Sequence, residues 1–284
     1  MKKTRLDIFL ALNGLSQSRE KAKREIMAGW VKVDGETVTD PTKQVAGTER
    51  VTVERPGGLY VSRGGQKLKH ALDRFGVSLG GKTAVDLGAS TGGFTDCMLK
   101  EGAAKVYAVD VGYGQLDYSL RKDPRVTVME KTNARSLTRE QFPERIDFVT
   151  ADLSFISIVK VFDTVRDVFS PVEGVILVKP QFEADPGEHK KGVVRKKEIH
   201  VEILSRVVAA LGEKGMIMKG IAPSPVTGPK GNIEFLLYFE CGTGGTGMTG
   251  PERDAAIADA VSRAHEQFGA LAVDDVPADD DDRL

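Results

Sequence analysis

Short apolar segments alternate with amphipathic segments through most of the chain. The apolar segments have the length of buried strands, and the segments between them repeat apolar residues at helical spacing. Strands are predicted near residues 83–87, 105–110, 125–129, 146–151, 174–178, 215–221 and 233–240. Helices are predicted from residue 66 and at residues 92–101, 115–121, 155–169 and 198–212. This alternation predicts an α/β fold whose mostly parallel, seven-stranded sheet is covered by helices on both faces and ends in a hairpin-like pair.

The first part of the chain has a different pattern. Helical spacing covers residues 4–15, and a second helical pattern ends at Gly29. A hairpin follows, with Asp34 and Gly35 at its turn, and a short strand at residues 51–53 completes a small sheet. These elements predict a small α+β domain that precedes the α/β domain.

Two glycine-rich stretches divide the chain. Pro-Gly-Gly at residues 56–58 can continue neither a helix nor a strand, so we expect a domain boundary there. Residues 242–250 are rich in Gly and Thr and are typical of a flexible linker. The predicted organisation is a small domain at 1–57, a linker at 58–65, the α/β domain at 66–241, and a terminal segment at 242–284 that contains the flexible linker, a helix near 251–268 and a disordered acidic tail.

Composition argues against a membrane protein and against a metal centre. No segment approaches the length of about 18 apolar residues that a membrane-spanning helix needs. Asp7 and Asn13 interrupt the apolar stretch near the amino terminus, which favours an amphipathic helix over a signal peptide. Cys97 and Cys241 lack metal-ligand spacing and fit ordinary packing in a reducing compartment. We therefore expect a cytoplasmic protein that needs no metal and contacts no membrane.

Positive charge is concentrated near the amino terminus, although the whole chain has a net charge of −1. Residues 1–70 carry 14 Lys or Arg against 8 Asp or Glu, whereas residues 270–284 carry 6 Asp against one Arg. Four cations of the second helical pattern lie close together: Arg19, Lys21, Lys23 and Arg24. A basic module on a near-neutral body is typical of polyanion binding. A solvated helix face would have the same pattern, so both interpretations stay open here.

A glycine turn follows the first strand of the α/β domain. Asp86 lies at the carboxyl end of that strand, and glycines at 88, 92 and 93 allow a ligand to approach bare backbone before the next helix. The second strand ends in Asp110, at the spacing expected for a carboxylate that binds a ribose hydroxyl. Ser90 breaks the GxGxxG pattern of dinucleotide sites, which favours an adenosyl ligand without a pyrophosphate, namely S-adenosylmethionine. A purely structural turn is the alternative.

Three polar residues mark other strand ends. Asp152 and Lys179 each follow a predicted strand, and Glu234 begins the last one. Because the carboxyl ends of parallel strands meet at the ligand crevice, we expect Asp152 and Lys179 to lie near each other and near the glycine turn. Each of the three is equally compatible with a solvated strand end when it is considered alone.

The same residues limit which methyl acceptor fits. Methylation of a base amine generally uses an Asp/Asn-Pro-Pro-aromatic turn, and here the sequence is Asp-Leu-Ser-Phe at 152–155. Methylation at carbon 5 needs a nucleophilic cysteine, and neither cysteine has that setting. Lysine beside carboxylates favours a hydroxyl acceptor, which must be aligned with the sulfonium methyl group and lose its proton.

These blocks resemble the TlyA family, whose members are rRNA 2'-O-ribose methyltransferases also named haemolysin A. The resemblance runs from about residue 4 to residue 240. The ordered blocks that carry it are Ser62–Leu68, Gly88–Phe94, Asp110–Leu116, Lys131–Arg135, Ala151–Ser157, Val178–Glu183 and Gly231–Glu234.

The resemblance implies a Rossmann-like class I methyltransferase fold, S-adenosylmethionine as cofactor and ribosomal RNA as substrate, at a cytidine. The amino-terminal module resembles the alpha-L, or S4-type, RNA-binding domain. The Lys-Asp-Lys-Glu tetrad of ribose methyltransferases falls on Lys67, Asp152, Lys179 and Glu234. The cofactor is expected at Asp86, Gly88, Ala89, Ser90, Thr91, Gly92, Gly93, Phe94, Asp110, Val111, Asn133 and Ala134. RNA is expected at Arg5, Arg19, Lys21, Lys23, Arg24 and Arg63.

Lys179 is expected nearest the 2'-hydroxyl, with Asp152 and Glu234 orienting it and Lys67 holding the ribose-phosphate. Burial and the charge of Lys67 would lower the pKa of Lys179, and the two carboxylates would raise it, so its role as a general base stays open. The chain is expected to be a monomer. The alternatives are a ribosome-assembly factor that binds rRNA without catalysis and, with no support from the sequence pattern, a haemolysin.

Overall fold

The computed structural model describes residues 3–16, 18–54, 60–189 and 192–269. Two helices and five short strands form the amino-terminal module. They are β1 Thr4–Arg5, α1 Leu6–Leu12, α2 Arg19–Met27, β2 Val31–Val33, β3 Glu36–Val38, β4 Gln44–Val45 and β5 Val51–Val53. The Ser18 hydroxyl caps α2 by accepting a hydrogen bond from the Lys21 amide at 3.1 Å. β2 pairs with β3 and β5, as the sequence predicts, and the module has an apolar core of its own.

A seven-stranded sheet forms the centre of the α/β domain, in the order β11-β12-β10-β9-β6-β7-β8. The strands are β6 Thr83–Leu87, β7 Lys105–Val109, β8 Val126–Met129, β9 Phe148–Ala151, β10 Val172–Val178, β11 Met216–Pro223 and β12 Phe235–Cys241. The strands from β10 to β8 are parallel, and β12 runs antiparallel between β10 and β11. The predicted mostly parallel sheet with an antiparallel final pair is therefore confirmed.

Helices cover both faces of this sheet. They are α3 Gly64–Phe75, α4 Gly93–Lys100, α5 Tyr118–Lys122, α6 Phe162–Thr164, α7 Pro180–Glu183, α8 Lys197–Glu213 and α9 Gly250–Phe268. Alternate residues of the strands bury against α3, α4 and α5 on one face, and against α6, α8 and α9 on the other. This two-sided burial leaves the carboxyl ends of the parallel strands as the open edge of the domain.

The predicted single helix at 155–169 is wrong. The chain leaves β9 through a loop in which Phe155 has a left-handed φ of 64°. Ser157 then caps a short 3-10 turn at Ile158–Lys160, and a turn of π-helix at Val165–Phe169 follows α6. Helical spacing of apolar residues does not depend on which residue has a left-handed backbone. The periodicity of this segment therefore could not predict the loop.

The carboxyl-terminal helix α9 packs its small apolar face on α8 and β11. Its buried face consists of Ile257, Ala260, Val261 and Ala264. No helix among the described ranges has the length and hydrophobicity to cross a membrane. The predicted boundary at 56–58 and the acidic tail at 270–284 lie outside the described residues, and the bounds at 57, 65 and 241 stay predictions.

Candidate active site

A cavity of about 600 Å³ opens at the carboxyl edge of the sheet, between the glycine turn and the amino-terminal module. This volume is in the range of small-molecule and cofactor sites. Most of the residues predicted for catalysis and for the cofactor line it. They are Lys67, Gly88, Ala89, Ser90, Thr91, Gly93, Phe94, Asp110, Val111, Asn133, Ala134, Asp152, Lys179 and Glu234. The structure therefore brings together two sets of residues that are far apart in the sequence.

The turn after β6 fits tightly against its surroundings. Gly88 has a φ of 86°, and a Cβ there would lie 2.5 Å from the carbonyl oxygen of Asp152. A Cβ at Gly93 would lie 2.2 Å from the Ser62 hydroxyl. Larger residues are therefore excluded at both positions, and the backbone of the turn forms one wall of the cavity.

Asp86 and Asp110 have different surroundings although both end or nearly end a strand. Asp86 is fully buried and accepts hydrogen bonds from the Thr95 amide at 2.9 Å, the Thr95 hydroxyl at 2.7 Å and the Thr150 hydroxyl at 3.0 Å. Burial raises the pKa of Asp86 to about 7. Asp86 and Gly92 were both predicted to bind the cofactor, but neither lines the cavity. Asp86 instead holds the start of α4 against the sheet.

Asp110 faces the cavity from the end of β7. One carboxylate oxygen accepts a hydrogen bond from the Ser90 amide at 2.8 Å, and the other accepts one from the Gly112 amide at 2.6 Å. Each carboxylate oxygen has two lone pairs, so acceptor capacity remains for a ligand hydroxyl. These contacts also fix Asp110 relative to the glycine turn.

Two ion pairs form the polar floor of the cavity. The Lys179 Nζ lies 2.6 Å from an Asp152 oxygen and donates to the Ser154 hydroxyl at 3.0 Å. The Lys67 Nζ lies 2.6 Å from a Glu234 oxygen. Glu234 was expected to orient Lys179, but its hydrogen bond goes to Lys67. The tetrad is therefore two charge-paired couples, each with one lysine that is only a tenth exposed.

The charges of these couples set the protonation of Lys179. Burial lowers its pKa, but the carboxylates of Asp152 and Glu234 outweigh burial and hold the pKa above its ordinary value. Burial likewise raises the pKa of Asp152, and the charges of Lys179 and Lys67 outweigh burial and lower it. Both shifts favour an ammonium and a carboxylate at neutral pH.

Glu234 has one buried carboxylate oxygen without a hydrogen bond. Its side chain is buried, and Oε1 has no hydrogen-bond partner among the described residues. A Cβ at Gly228 would lie 2.1 Å from that oxygen, so only glycine fits against it. Asn232 fixes this loop, because its side-chain amide donates to the carbonyls of Gly192 and Pro229 at 3.0 Å each.

Arg63 joins the amino-terminal module to this site. Its guanidinium donates to the Thr37 hydroxyl at 3.3 Å and to the Thr227 carbonyl at 3.5 Å, and both contacts are long. A Cβ at Gly29 would lie 2.7 Å from its Nε atom. Burial lowers the pKa of Arg63, and within the described ranges no carboxylate forms an ion pair with it. A desolvated cation at the cavity wall is suited to an anionic ligand such as phosphate.

The basic residues of the amino-terminal module divide into two groups. Arg5 and Arg19 lie 2.9 Å and 3.1 Å from the buried carboxylate of Asp7. Burial raises the pKa of Asp7, but the hydrogen bonds from the two arginines lower it overall. Arg5 and Arg19 are therefore paired within the module, although Arg19 is exposed on α2 like Lys23 and Arg24. None of the predicted cations of this module lines the cavity.

Three residues at the site were not predicted from the sequence, two in the loop after β9 and one in α7. The Phe155 side chain is 90% exposed at the cavity wall and contacts Phe182, with ring centroids 5.1 Å apart. The Glu183 carboxylate accepts a hydrogen bond from the Ile158 amide at 2.8 Å. Ser154 accepts the second hydrogen bond from Lys179. All of them lie in the two blocks that carry Asp152 and Lys179, but no local spacing indicates these contacts.

Comparison with known proteins gives two family matches. The family model of FtsJ-like methyltransferases matches residues 60–241, and that of the S4 domain matches residues 4–51. The chain is 45% identical to YqxC of Bacillus subtilis, described as a candidate rRNA methyltransferase, over 93% of this chain and 95% of that protein. It is 42% identical to TlyA of Mycobacterium tuberculosis, a 16S/23S rRNA (cytidine-2'-O)-methyltransferase, over 85% of this chain and 91% of that protein.

A solved structure from Streptococcus thermophilus, described as a candidate hemolysin, is also similar. It superposes with a TM-score of 0.74 at 38% identity and covers 95% of this chain and 98% of its own. The similarity therefore extends over both the amino-terminal module and the α/β domain.

Proposed function

The chain belongs to the FtsJ-like methyltransferase family and to its TlyA group, and we propose that it methylates the ribose 2'-hydroxyl of a ribosomal RNA nucleotide, a cytidine. The methyl donor is S-adenosylmethionine. The observation that supports this proposal best is the pair of couples, Lys179 with Asp152 and Lys67 with Glu234, at the wall of a cavity that the glycine turn also lines.

The residues at the other end of the cavity fit S-adenosylmethionine. Gly88 and Gly93 let the turn pack closely on its neighbours and present bare backbone to the cavity, and Asp110 has free acceptor capacity for ribose hydroxyls. Asp110, Val111, Asn133, Ala134 and the lining residues of the turn would hold the adenosyl and amino-acid parts. When bound, the cofactor supplies an electrophilic methyl group on a sulfonium centre.

The acceptor hydroxyl needs alignment more than it needs a strong base. The Lys179 ammonium can donate a hydrogen bond to the hydroxyl oxygen and fix its position, which is the larger part of catalysis for an in-line transfer. The hydroxyl becomes strongly acidic as its oxygen gains the methyl group, so a weak base is sufficient at that stage. Asp152, ionised beside Lys179, is positioned to take this proton.

Lys67 and Glu234 fit the ribose of the target nucleotide. The Glu234 carboxylate lines the cavity and is an acceptor for a ribose hydroxyl, and the hydrogen bond from Lys67 holds it in place. Arg63 supplies a desolvated cation at the same wall for a flanking phosphate. The two couples thus have different roles. Lys179 and Asp152 align the reacting hydroxyl, and Lys67 and Glu234 hold the ribose.

RNA affinity comes mainly from the S4 domain. Its exposed cations on α2, Lys23 and Arg24, are available for phosphate contacts, whereas Arg5 and Arg19 stabilise the module. A ribosomal substrate would place the activity in the cytoplasm. A non-catalytic assembly factor would not need two buried couples, because buried ion pairs cost desolvation energy without adding RNA affinity.

The test is to map ribose methylation on rRNA from cells with the wild-type protein, with Lys179→Ala and without the protein. We expect one or more 2'-O-methyl groups that only the wild-type protein produces. Purified protein should add the same groups to unmodified ribosomal subunits when S-adenosylmethionine is supplied. Identical methylation maps in all three strains, together with no methyl transfer in vitro, would refute the proposal.

A further inference from the structure

Two exposed tyrosines lie beyond the Asp110 end of the cavity. Tyr113 is 72% exposed and Tyr118 is 60% exposed. The Nζ atom of Lys131 lies 4.6 Å from the centre of the Tyr113 ring, and that of Lys122 lies 4.3 Å from the centre of the Tyr118 ring. We call these four residues the tyrosine–lysine rim. Aromatic rings gain free energy from burial, so two exposed rings, each with a lysine ammonium against its face, indicate a contact surface.

The exposure of Tyr113 does not come from a loosely held loop. The Gly112 amide donates to Asp110 at 2.6 Å, and its carbonyl accepts from the Lys131 amide at 3.0 Å. The Gly114 amide donates to Glu130, which in turn pairs with Arg121 at 2.5 Å. Hydrogen bonds of the residues on both sides thus fix the backbone of Tyr113, and its ring is exposed in a defined position.

The rim adjoins the cavity at the end of the sheet that is opposite the amino-terminal module. Val111 and Thr132, the neighbours of this loop and of Lys131, follow β7 and β8 at one end of the strand order and line the cavity. The module contacts the loop before β12, towards the other end, through Arg63. A polymer held by the module, with its target nucleotide at the two couples, therefore reaches the rim by passing over the cofactor end of the cavity.

We propose that the tyrosine–lysine rim binds unpaired nucleotides of the substrate RNA that flank the target nucleotide. This inference rests on the proposed function for the identity of the substrate. Bases stack on the two rings, and the Lys122 and Lys131 ammonium groups bind the phosphates between them. Unpaired nucleotides are required, because the faces of bases in a duplex are covered by their neighbours.

The tyrosines are tested by direct binding measurements on the full chain. The probes are a 20-nucleotide RNA without stable pairing and a duplex RNA of the same length. Tyr113→Ala/Tyr118→Ala should weaken binding of the unpaired RNA by about 5- to 150-fold for each lost stack. Tyr113→Phe/Tyr118→Phe keeps both rings and should bind this RNA within about twofold of wild type. Binding of the duplex should be nearly unchanged in both variants.

The lysines are tested by the salt dependence of binding. Lys122→Gln/Lys131→Gln should lower the slope of log affinity against log salt by about 1.4, the amount for two phosphates of a single strand. Lys214→Gln/Lys219→Gln is the matched control, because Lys219 lies on β11, at the edge of the sheet opposite β8. The control should leave the slope unchanged.

Two outcomes would overturn the inference. Unchanged affinity for unpaired RNA in the alanine variant would show that the rings contact no base. A loss of S-adenosylmethionine affinity equal to the loss of RNA affinity would assign the tyrosines to the cofactor. None of these measurements depends on methyl transfer, so a wild-type protein that binds RNA at the rim but transfers no methyl group would refute the proposed function and leave the rim established.

Discussion

The ammonium of Lys179 lies 2.6 Å from the carboxylate of Asp152, at the ends of two neighbouring parallel strands. The pair is held by the sheet register and by the Ser154 hydroxyl, which accepts from Lys179 at 3.0 Å. The position of the ammonium is therefore determined by the fold and does not require a bound ligand.

Replacing Lys179 should abolish most methyl transfer without loss of cofactor binding. Lys179→Ala removes the donor that aligns the hydroxyl, and we expect single-turnover rates to fall by about 10²- to 10⁴-fold. Lys179→Arg should be nearly as impaired, because the planar guanidinium of arginine does not fit a site that holds a compact ammonium. Calorimetry with S-adenosylmethionine should give near-normal affinity for both. Lys160→Ala, an exposed lysine on the turn after β9, is the control. A wild-type rate in the alanine variant would remove Lys179 from the mechanism.

The pH dependence distinguishes an aligning ammonium from a general base. The pKa of Asp152 is lowered and that of Lys179 is raised, so both groups stay ionised through the neutral range. The rate is expected to decrease only when Asp152 is protonated at low pH or Lys179 is deprotonated at high pH. Titration of this couple should therefore cause no tenfold change per pH unit between about pH 6 and 9, and a smaller change near pH 7 belongs to Asp86. A tenfold rise for each pH unit in that window would show that neutral Lys179 is the reactive form.

Asp110 should contribute to cofactor affinity. Asp110→Ala is expected to weaken S-adenosylmethionine binding by about 1.5–3 kcal/mol, the range for a lost hydrogen bond to a charged group. Asp110→Asn keeps one acceptor oxygen and should lose less. Asp117→Ala removes a carboxylate of the same loop that does not line the cavity, and its affinity should equal wild type. Calorimetry that shows equal affinities for all four proteins would exclude Asp110 from the site.

The sequence indicates Asp152 and Lys179 because the carboxyl ends of parallel strands meet at one edge. It does not indicate Lys67, which lies on a helix before the sheet and pairs with Glu234 across 167 residues. Only the family resemblance places Lys67 in the set, because its helical position is at the border of the apolar stripe. No local sequence feature specifies which lysine pairs with which carboxylate. The protonation of Asp152 and Lys179 depends on that pairing.

Strand-end carboxylates cannot be sorted by sequence alone. Asp86 and Asp110 have the same local pattern, but β6 is central, and Asp86 lies between Thr95 of α4 and Thr150 of β9. Asp110 follows β7 directly, at the start of an open loop, and lines the cavity. The difference depends on which strands are neighbours, which is a property of the assembled sheet.

Glu183 is expected to act as a positioning residue. It joins α7, which follows Lys179, to the loop that follows Asp152, through the hydrogen bond from the Ile158 amide. Glu183→Ala should lower the single-turnover rate by about 10- to 100-fold through misplacement of the couple, with little change in cofactor or RNA affinity. Glu183→Gln keeps an acceptor and should recover most of the rate. Glu188→Ala, which removes a partner of Arg206, is the control. Full activity in Glu183→Ala would show that the loop is held without it.

The two groups of amino-terminal cations should give opposite results when they are neutralised. Lys23→Gln/Arg24→Gln removes exposed charges, so RNA affinity should decrease for all sequences and the salt slope should flatten by about 0.7–0.9 for each lost phosphate contact. Thermal stability should stay unchanged in this variant.

Arg5→Gln/Arg19→Gln instead leaves the buried Asp7 carboxylate without its charged partners. An unpaired buried carboxylate is costly, and we expect a loss of about 1–3 kcal/mol in the free energy of unfolding of the module. The loss should be smaller at low pH, because the arginines hold the pKa of Asp7 below its ordinary value and their contribution disappears as Asp7 is protonated. Denaturation curves at pH 7 and at about pH 2.5, below the ordinary pKa of an aspartate, for wild type and both variants measure this directly. If Arg5→Gln/Arg19→Gln flattens the salt slope and keeps full stability, then Arg5 and Arg19 bind RNA, as the sequence alone predicts.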